Sequence, residues 1–200
     1  IQDYYRNKKN HTDIKIYGIV DNFANDKSIK EINGVKFLGK ENDLQEPDNT
    51  YFVIANGKPE YRKDAFIRLK SKERNLYTLI HPSAYIAKFS EINEGSIICP
   101  NVIINSNSKV GQCTLINVFS SIGHHSKIGD FSVISPFCSL SGYSGIGERS
   151  FMGTRATLFP NIKVGDCCIV DSHSYVNSDV DDYHITRLSC KYIEIRNRLL

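Results

Sequence analysis

The chain has 200 residues, of which 40% are hydrophobic and 24% charged, and its net charge is +3. That balance excludes a disordered chain, and a charge so small, with no basic stripe interleaved with aromatics, argues against nucleic acid. No apolar run reaches membrane-spanning length and no signal peptide is recognisable, so a soluble folded protein is expected.

Residues 1–10 read as the end of a charged helix. Ile14 to Val20 is a nearly continuous apolar run, as expected of a strand buried in a parallel sheet, and Asp21 and Asn22 close it. Gly34 to Leu38 is a shorter strand candidate and Tyr51 to Ala55 another, ended by Asn56 and Gly57. Pro59 suits the first turn of a helix whose one face carries Tyr61, Ala65, Phe66 and Leu69. With Tyr77 to Ile80 as the next strand, residues 51–80 read as a βαβ unit. Ligands of such sheets sit beyond the carboxyl ends of the strands, where Asp21, Asn22, Asn56 and Gly57 lie. Asp21 and Asn22 would serve equally as a plain turn.

From Ile86 to Val176 an aliphatic residue, or Met152, returns at every sixth position. Two places before each stands a mostly small residue, such as Ser96, Thr114, Cys138 or Ala156, with only Val102 and Ile162 larger. The residue after each aliphatic is often a turn former, as at Asn93, Gly111, Asn117 and Gly123. A period of six suits neither an amphipathic helix nor a simple strand. It marks a solenoid of short stacked strands, with aliphatic and small residues inside. Three hexads per turn predict coils of eighteen residues, about five of them, in a prism roughly 24 Å long. His81-Pro82 marks the junction, which divides the chain into residues 1–80, 81–182 and a tail, 183–200. The outer faces, carrying Val118, Phe119, Phe137 and Tyr143, invite self-association.

Stacking at eighteen residues sets outward-pointing His124 against Gly142, an acid–base group beside bare backbone, with Asn117 near a neighbouring corner. An outward histidine would also serve as a plain solvated residue. His124 and His125 are expected to point opposite ways along a strand, which argues against a metal site. The six cysteines have no metal-type spacing, several stand where serine or alanine would serve, and a reducing cytoplasm is the simplest setting for them.

These features resemble the hexapeptide-repeat acyltransferases, and more narrowly the bacterial sialic acid O-acetyltransferase and nucleotide-amino-sugar N-acetyltransferase group. The residues that carry the resemblance are Gly18-Ile-Val-Asp21, Val53-Ile-Ala-Asn56 with Arg62, His81-Pro-Ser-Ala84, Ile116-Asn117, Ile122-Gly-His124, Ile128-Gly-Asp130 and Ser141-Gly142. The resemblance implies an α/β, Rossmann-like N-terminal domain followed by a left-handed parallel β-helix of hexapeptide repeats that forms a homotrimer. It implies acetyl-CoA as co-substrate, no metal, and a nucleotide-linked amino sugar, or a sialic acid or related sugar, as acceptor in bacterial surface-glycan biosynthesis. His124 would be the general base, with Asn117 and the Gly142 N–H beside it and His125 as a possible catalytic neighbour. Asp21, Asn22, Asn56, Gly57 and Arg62 would hold the nucleotide sugar; Gly142, Gly153, Arg155 and Lys191 would hold coenzyme A.

Four departures from the family pattern stand out. The residue after the histidine is usually acidic and is here His125. A further family histidine falls at Val133. The Gly-x-Pro-Ala-Lys segment near the C-terminus is here Arg187-Leu-Ser-Cys-Lys191. The opening strand and its Gly-rich loop would precede Ile1 and are expected to be missing from this chain. A relative that has kept the solenoid as a binding or scaffold protein is the competing expectation.

Overall fold

The computed structural model describes residues 15–22 and 30–188. The chain divides into two compact units, one ending at Thr50 and one beginning at Tyr51.

In the first unit, Asn33 and Gly34 both have positive φ and turn a hairpin that pairs Glu31–Ile32 antiparallel with Val35–Lys36. The apolar run before Asp21 is not the buried strand its composition suggests. Its described part makes one parallel bridge, Ile19 to Phe37, and Tyr17 is 46% exposed. Alternating residues of a strand paired on one side stay open to solvent.

The second unit begins with the expected βαβ arrangement. Tyr51–Phe52 pairs in parallel with Asn75–Leu76 across helix α1, Pro59–Lys70. Pro59 opens the helix, where its missing N–H costs nothing, and Asn56 Oδ1 accepts the Lys58 N–H just ahead of it. The segment 77–80 is not the closing strand of that unit. Leu79–Ile80 pairs with Ile97–Ile98 and is the first rung of the solenoid, one hexad before Ile86. That added rung, together with Ile185–Thr186 at the far end, lengthens the stack from five coils to about six turns.

Three parallel sheets form the prism. The first face has seven strands, from Leu79–Ile80 to Ile185–Thr186; the second has six, from Tyr85–Ile86 to Tyr175–Val176; the third has five, from Glu91–Ile92 to Lys163–Val164. Eighteen-residue steps hold through most of the stack, as in Ser121 opposite Ser139, and shorten to sixteen at the end, as in Ile169 opposite Ile185. The aliphatics of the hexad run fill the axis, with Ile104, Ile116, Ile122, Ile134 and Leu158 wholly buried. Each such side chain contributes about 1.5–3 kcal/mol of apolar burial.

The small residues do more than fill space. Ser96, Ser108, Ser120, Ser126, Ser132 and Ser150 each donate Oγ–H to the carbonyl fifteen residues on, at 2.6–2.9 Å. These bonds satisfy buried hydroxyls and corner carbonyls together. Cys138 Sγ occupies the same slot, 3.0 Å from the Gly153 carbonyl.

The corners are built differently from the expected turn after each aliphatic. Positive φ falls two places later, at residues 89, 95, 101 and so on to 173, and apart from Gly95 the carriers are Phe, Asn, Cys, His, Tyr and Arg. Left-handed backbone costs a non-glycine residue roughly 1–2 kcal/mol. Here it turns the N–H onto the preceding coil: His125 onto Ser106 O at 3.0 Å, Tyr143 onto His124 O at 2.9 Å. The glycines one place after an aliphatic answer a steric demand instead. A Cβ on Gly123 would lie 2.5 Å from the Ser141 carbonyl carbon and 2.6 Å from Gly142 N.

Candidate functional site

The three edges of the prism carry different side chains on one backbone. The edge between the third and first faces lies under helix α1. There Phe66 packs on Phe131 at 5.3 Å, Lys63 pairs with Glu148 at 3.1 Å, and Cys113 is fully buried. Arg62 is 0% exposed; its Nε donates to Cys113 O at 2.5 Å and its Nη1 to Ile54 O at 2.7 Å and Asn56 O at 2.8 Å. Burial lowers the guanidinium to about 10, against the smaller opposing influence of the Cys113 and Cys99 sulfurs. Arg62 thus ties the helix and the exit of strand Tyr51–Phe52 to a solenoid corner, a position that offers it no open path to a sugar nucleotide. Burial also pushes the Cys113 thiol up to about 11, which keeps it an unreactive packing group.

The edge between the second and third faces carries His124 and His125, both exposed. The imidazole of His124 lies directly over Gly142: a Cβ there would stand 2.6 Å from Nε2 and 2.7 Å from Cε1. The eighteen-residue stacking argument therefore holds at atomic detail, and Nε2 is the nitrogen that faces the glycine backbone. His125 does not point away from His124. Their Nδ1 atoms are 3.2 Å apart, because the positive φ of His125 (59°) breaks the side-chain alternation of a strand. Tyr143, one coil on, stacks on His125 at 4.8 Å and meets His124 edge-on at 5.1 Å. The Lys163 ammonium donates to the Tyr143 carbonyl.

Backbone N–H groups at the slot of Gly142, the second place after an aliphatic, stay out of the coil-to-coil ladder. On the helix-covered edge the next coil caps them: Asp130 Oδ1 accepts from Gln112 N at 2.9 Å, Asp166 Oδ1 from Glu148 N at 2.7 Å, and Asp182 Oδ1 from Asp166 N at 2.8 Å. Above Gly142 the next coil offers Pro160, which has no acceptor side chain. The ladder bonds beside it belong to Ser141 and Tyr143. The Gly142 N–H therefore lacks both a ladder partner and the carboxylate cap of its counterparts, which leaves a donor that an oxyanion could use.

Asn117, Gly153 and Arg155 stand on the remaining edge, between the first and second faces. Asn117 Oδ1 accepts the Val118 N–H at 3.2 Å. A Cβ on Gly153 would stand 2.5 Å from Ser172 N. The Arg155 guanidinium lies 5.4 Å over Phe137, which stacks on Phe119 at 5.2 Å. One strand face, about 15 Å of extended chain, separates this edge from His124, so a single chain does not bring the two groups together. Val133 is buried on the first face and takes no part in either edge.

In the first unit the Asn22 side chain is engaged with Glu41, accepting its N–H at 2.8 Å and donating to Oε2 at 3.2 Å. Asp21 is exposed, and its N–H donates to Gly39 O at 3.0 Å. Asn56 makes the turn before helix α1 described above, and the Cα of exposed Gly57 faces open space. Lys191 lies outside the described residues.

An open groove of about 450 Å³ runs along the third face, lined by Glu91, Lys109, Lys127, Asp130, Glu148 and Asp166 among others. It does not include His124. Asp130 and Asp166 are already occupied in capping coils, so the groove is the less chemical of the two places. Sequence reasoning passed over three residues here: Tyr143 as a brace for the histidines, Gly123 as the spacer under Gly142, and Pro160. The eighteen-residue column through Gln112, Asp130, Glu148 and Asp166, set beside His124, Gly142 and Pro160, was the available signal for the last.

No family model and no curated protein matches the sequence. Solved structures do. The acetyltransferase domain of PglB from Neisseria gonorrhoeae in complex with acetyl coenzyme A is 25% identical, with TM-score 0.74 over 80% of this chain and 79% of that one. PerB from Caulobacter crescentus, in complex with CoA and GDP-perosamine, is 26% identical, with TM-score 0.75 over 78% and 77%. WeeI from Acinetobacter baumannii is 22% identical, with TM-score 0.77 over 84% and 81%. These neighbours include a perosamine N-acetyltransferase and an acetyltransferase domain, and the solenoid matches a left-handed β-helix.

Proposed function

We propose that this chain is an acyltransferase that moves the acetyl group of acetyl-CoA onto the amine of a nucleotide-linked amino sugar, with His124 as general base. The observation that carries the reading is His124 Nε2 set against Gly142, whose N–H lies outside the coil ladder. CoA and GDP-perosamine in the PerB complex, and acetyl coenzyme A in the PglB complex, supply the substrate class.

In this scheme the sugar amine attacks the thioester carbonyl while Nε2 takes its proton. The carbonyl oxygen, now negative, accepts from the Gly142 N–H. Collapse of the tetrahedral adduct breaks the C–S bond, and the coenzyme A thiolate leaves with the proton from imidazolium Nε2. The amide and the free thiol are the products.

The second face is flat at its centre, with Ser121, Ser139 and Thr157 in one column, and it is bounded by the two edges that share the site residues. A homotrimer packed through this face would set Asn117, Gly153 and Arg155 of one copy beside His124 of the next. Half-exposed Phe119, Phe137 and Tyr143 along its borders are suited to that contact. Acetyl-CoA would lie between copies, and the loop at Gly57, at the start of the βαβ arrangement, would contact the nucleotide. Arg62 would act by holding that loop. A cytoplasmic enzyme of surface-glycan biosynthesis fits these substrates.

The test is thiol release from acetyl-CoA across a panel of nucleotide amino sugars, with hydroxyl-bearing sugars such as sialic acid alongside. We expect release with an amino sugar and a drop of about 10²–10⁴ in His124→Ala. Turnover on hydroxy sugars alone would move the acceptor to oxygen. Full turnover in folded His124→Ala, or acetyl-CoA binding without release on any sugar, would overturn the reading.

A further inference from the structure

The Nδ1–Nδ1 contact has a chemical requirement of its own. Two imidazole nitrogens at 3.2 Å share a single proton, donated by one ring and accepted by the other. If His125 donates, His124 Nδ1 is the acceptor, its own proton sits on Nε2, and Nε2 has no lone pair for a substrate. If His124 donates, Nε2 carries the lone pair and faces Gly142.

We propose that His125 is a positioning residue that accepts the His124 Nδ1 proton and so holds His124 in the tautomer whose Nε2 is basic. This rests on the reading of His124 as general base. Tyr143 supports the arrangement from the next coil. Its ring lies 18° from parallel to His125, fixing the plane in which the acceptor lone pair points. When Nε2 takes a proton from the nucleophile, the Nδ1–H bond to neutral His125 becomes charge-assisted and strengthens, as the transition state requires. No proton need cross from His124 to His125 for this.

The arrangement differs from one with a carboxylate in the same place. A carboxylate accepts at every working pH, whereas His125 accepts only while neutral. Protonation of either imidazole removes the arrangement: on His124 it occupies Nε2, and on His125 it removes the acceptor. Tyr143 by stacking, and Lys163 through the Tyr143 carbonyl, are the other ionisable groups joined to the pair by direct contacts. Neither stands between the two Nδ1 atoms.

The structure supplies a suitable variant. Phe119, Phe131 and Phe137 occupy the same left-handed corner position as His125, so His125→Phe preserves the backbone and the stacking while removing the acceptor. His125→Asn restores an acceptor oxygen in a residue that tolerates positive φ. In acetyl transfer we expect His125→Phe to lose about 10–100-fold in kcat, with His125→Asn recovering most of it. The acid limb of log kcat/KM against pH should steepen from a slope of one toward two in the unaltered protein and stay at one in both variants. Nitrogen-15 NMR of the histidine rings, which needs no turnover, should find the neutral His124 proton on Nδ1, and His125→Phe should move part of it to Nε2. A His124 proton on Nε2 in the unaltered protein, or wild-type rate and slope in His125→Phe, overturns the proposal. If His124→Ala abolishes transfer and His125→Phe does not, this inference fails while the proposed function stands. If His124→Ala is fully active, the function fails first.

Discussion

The histidine edge and the helix-covered edge share one backbone and differ in what projects from it. Both place a left-handed residue every eighteen positions, and both hang its N–H on the coil below. On the covered edge the free N–H groups meet Asp130, Asp166 and Asp182, and the corner is sealed by Phe131, Cys113 and Arg62. On the histidine edge the same slots hold exposed His124 and partly buried Gly142, with no carboxylate cap. The solenoid thus withholds at the histidine edge a cap that it supplies elsewhere, as the proposed chemistry requires.

The strongest way to break this contrast is to attack the seal. Arg62→Ala removes donors from three buried carbonyls and should cost about 3–5 kcal/mol. For a unit of this size that is a fall of roughly 10 °C in melting temperature, read by calorimetry. At low temperature kcat per folded protein should persist, because His124 lies on another edge, while KM for the nucleotide sugar should rise as the loop at Asn56 loses its hold. Next in size is Gly142→Ala. The added methyl meets the end of a rotatable imidazole, so stability should hold while kcat drops about 100-fold or more. Gly123→Ala sharpens the contrast. Its methyl meets the Ser141–Gly142 backbone, so it should lose both activity and about 1–3 kcal/mol, seen in urea unfolding.

Smaller effects test the shared interior. Ser120→Ala strips the Ser135 carbonyl of its donor and the Cys138 N–H of its acceptor, for about 1–2 kcal/mol in urea unfolding. Cys138→Ser keeps the bond to Gly153 O and should change stability at neutral pH by less than about 1 kcal/mol. Burial raises the Cys113 and Cys138 thiols to about 11 from an ordinary value of 9. Their contribution is therefore complete below about pH 9 and is lost as pH rises through about 11, on the order of 1–2 kcal/mol each. Cys138→Ser should remove its share of that alkaline slope and nothing below it.

The interior was legible in the sequence because burial imposes one period, and a step of eighteen sufficed to set His124 on Gly142. The corners were not. Positive φ there is carried by Phe, Tyr, His and Arg, residues set by what lies outside each edge, while the glycines mark close backbone approach. Arg62 is a ligand group by resemblance alone, and a cation in a helix gives no sign that three carbonyls, one of them fifty-one residues away, will enclose it. His125 read as diverging from His124 because strand alternation was assumed where the chain turns. Leu79–Ile80 read as the end of the βαβ unit because a two-residue rung looks the same in either sheet.

The stack tolerates a coil of sixteen residues at its far end, where Ile169 meets Ile185. Between His124 and Gly142 it tolerates none. A single codon gained or lost from 125 to 141 would set the imidazole one tooth out of mesh, over Ser141 or Tyr143, and would turn core residues of that coil outward. The end of the stack therefore has room for a change of length, while the proposed chemistry ties the interval from His124 to Gly142 to eighteen residues.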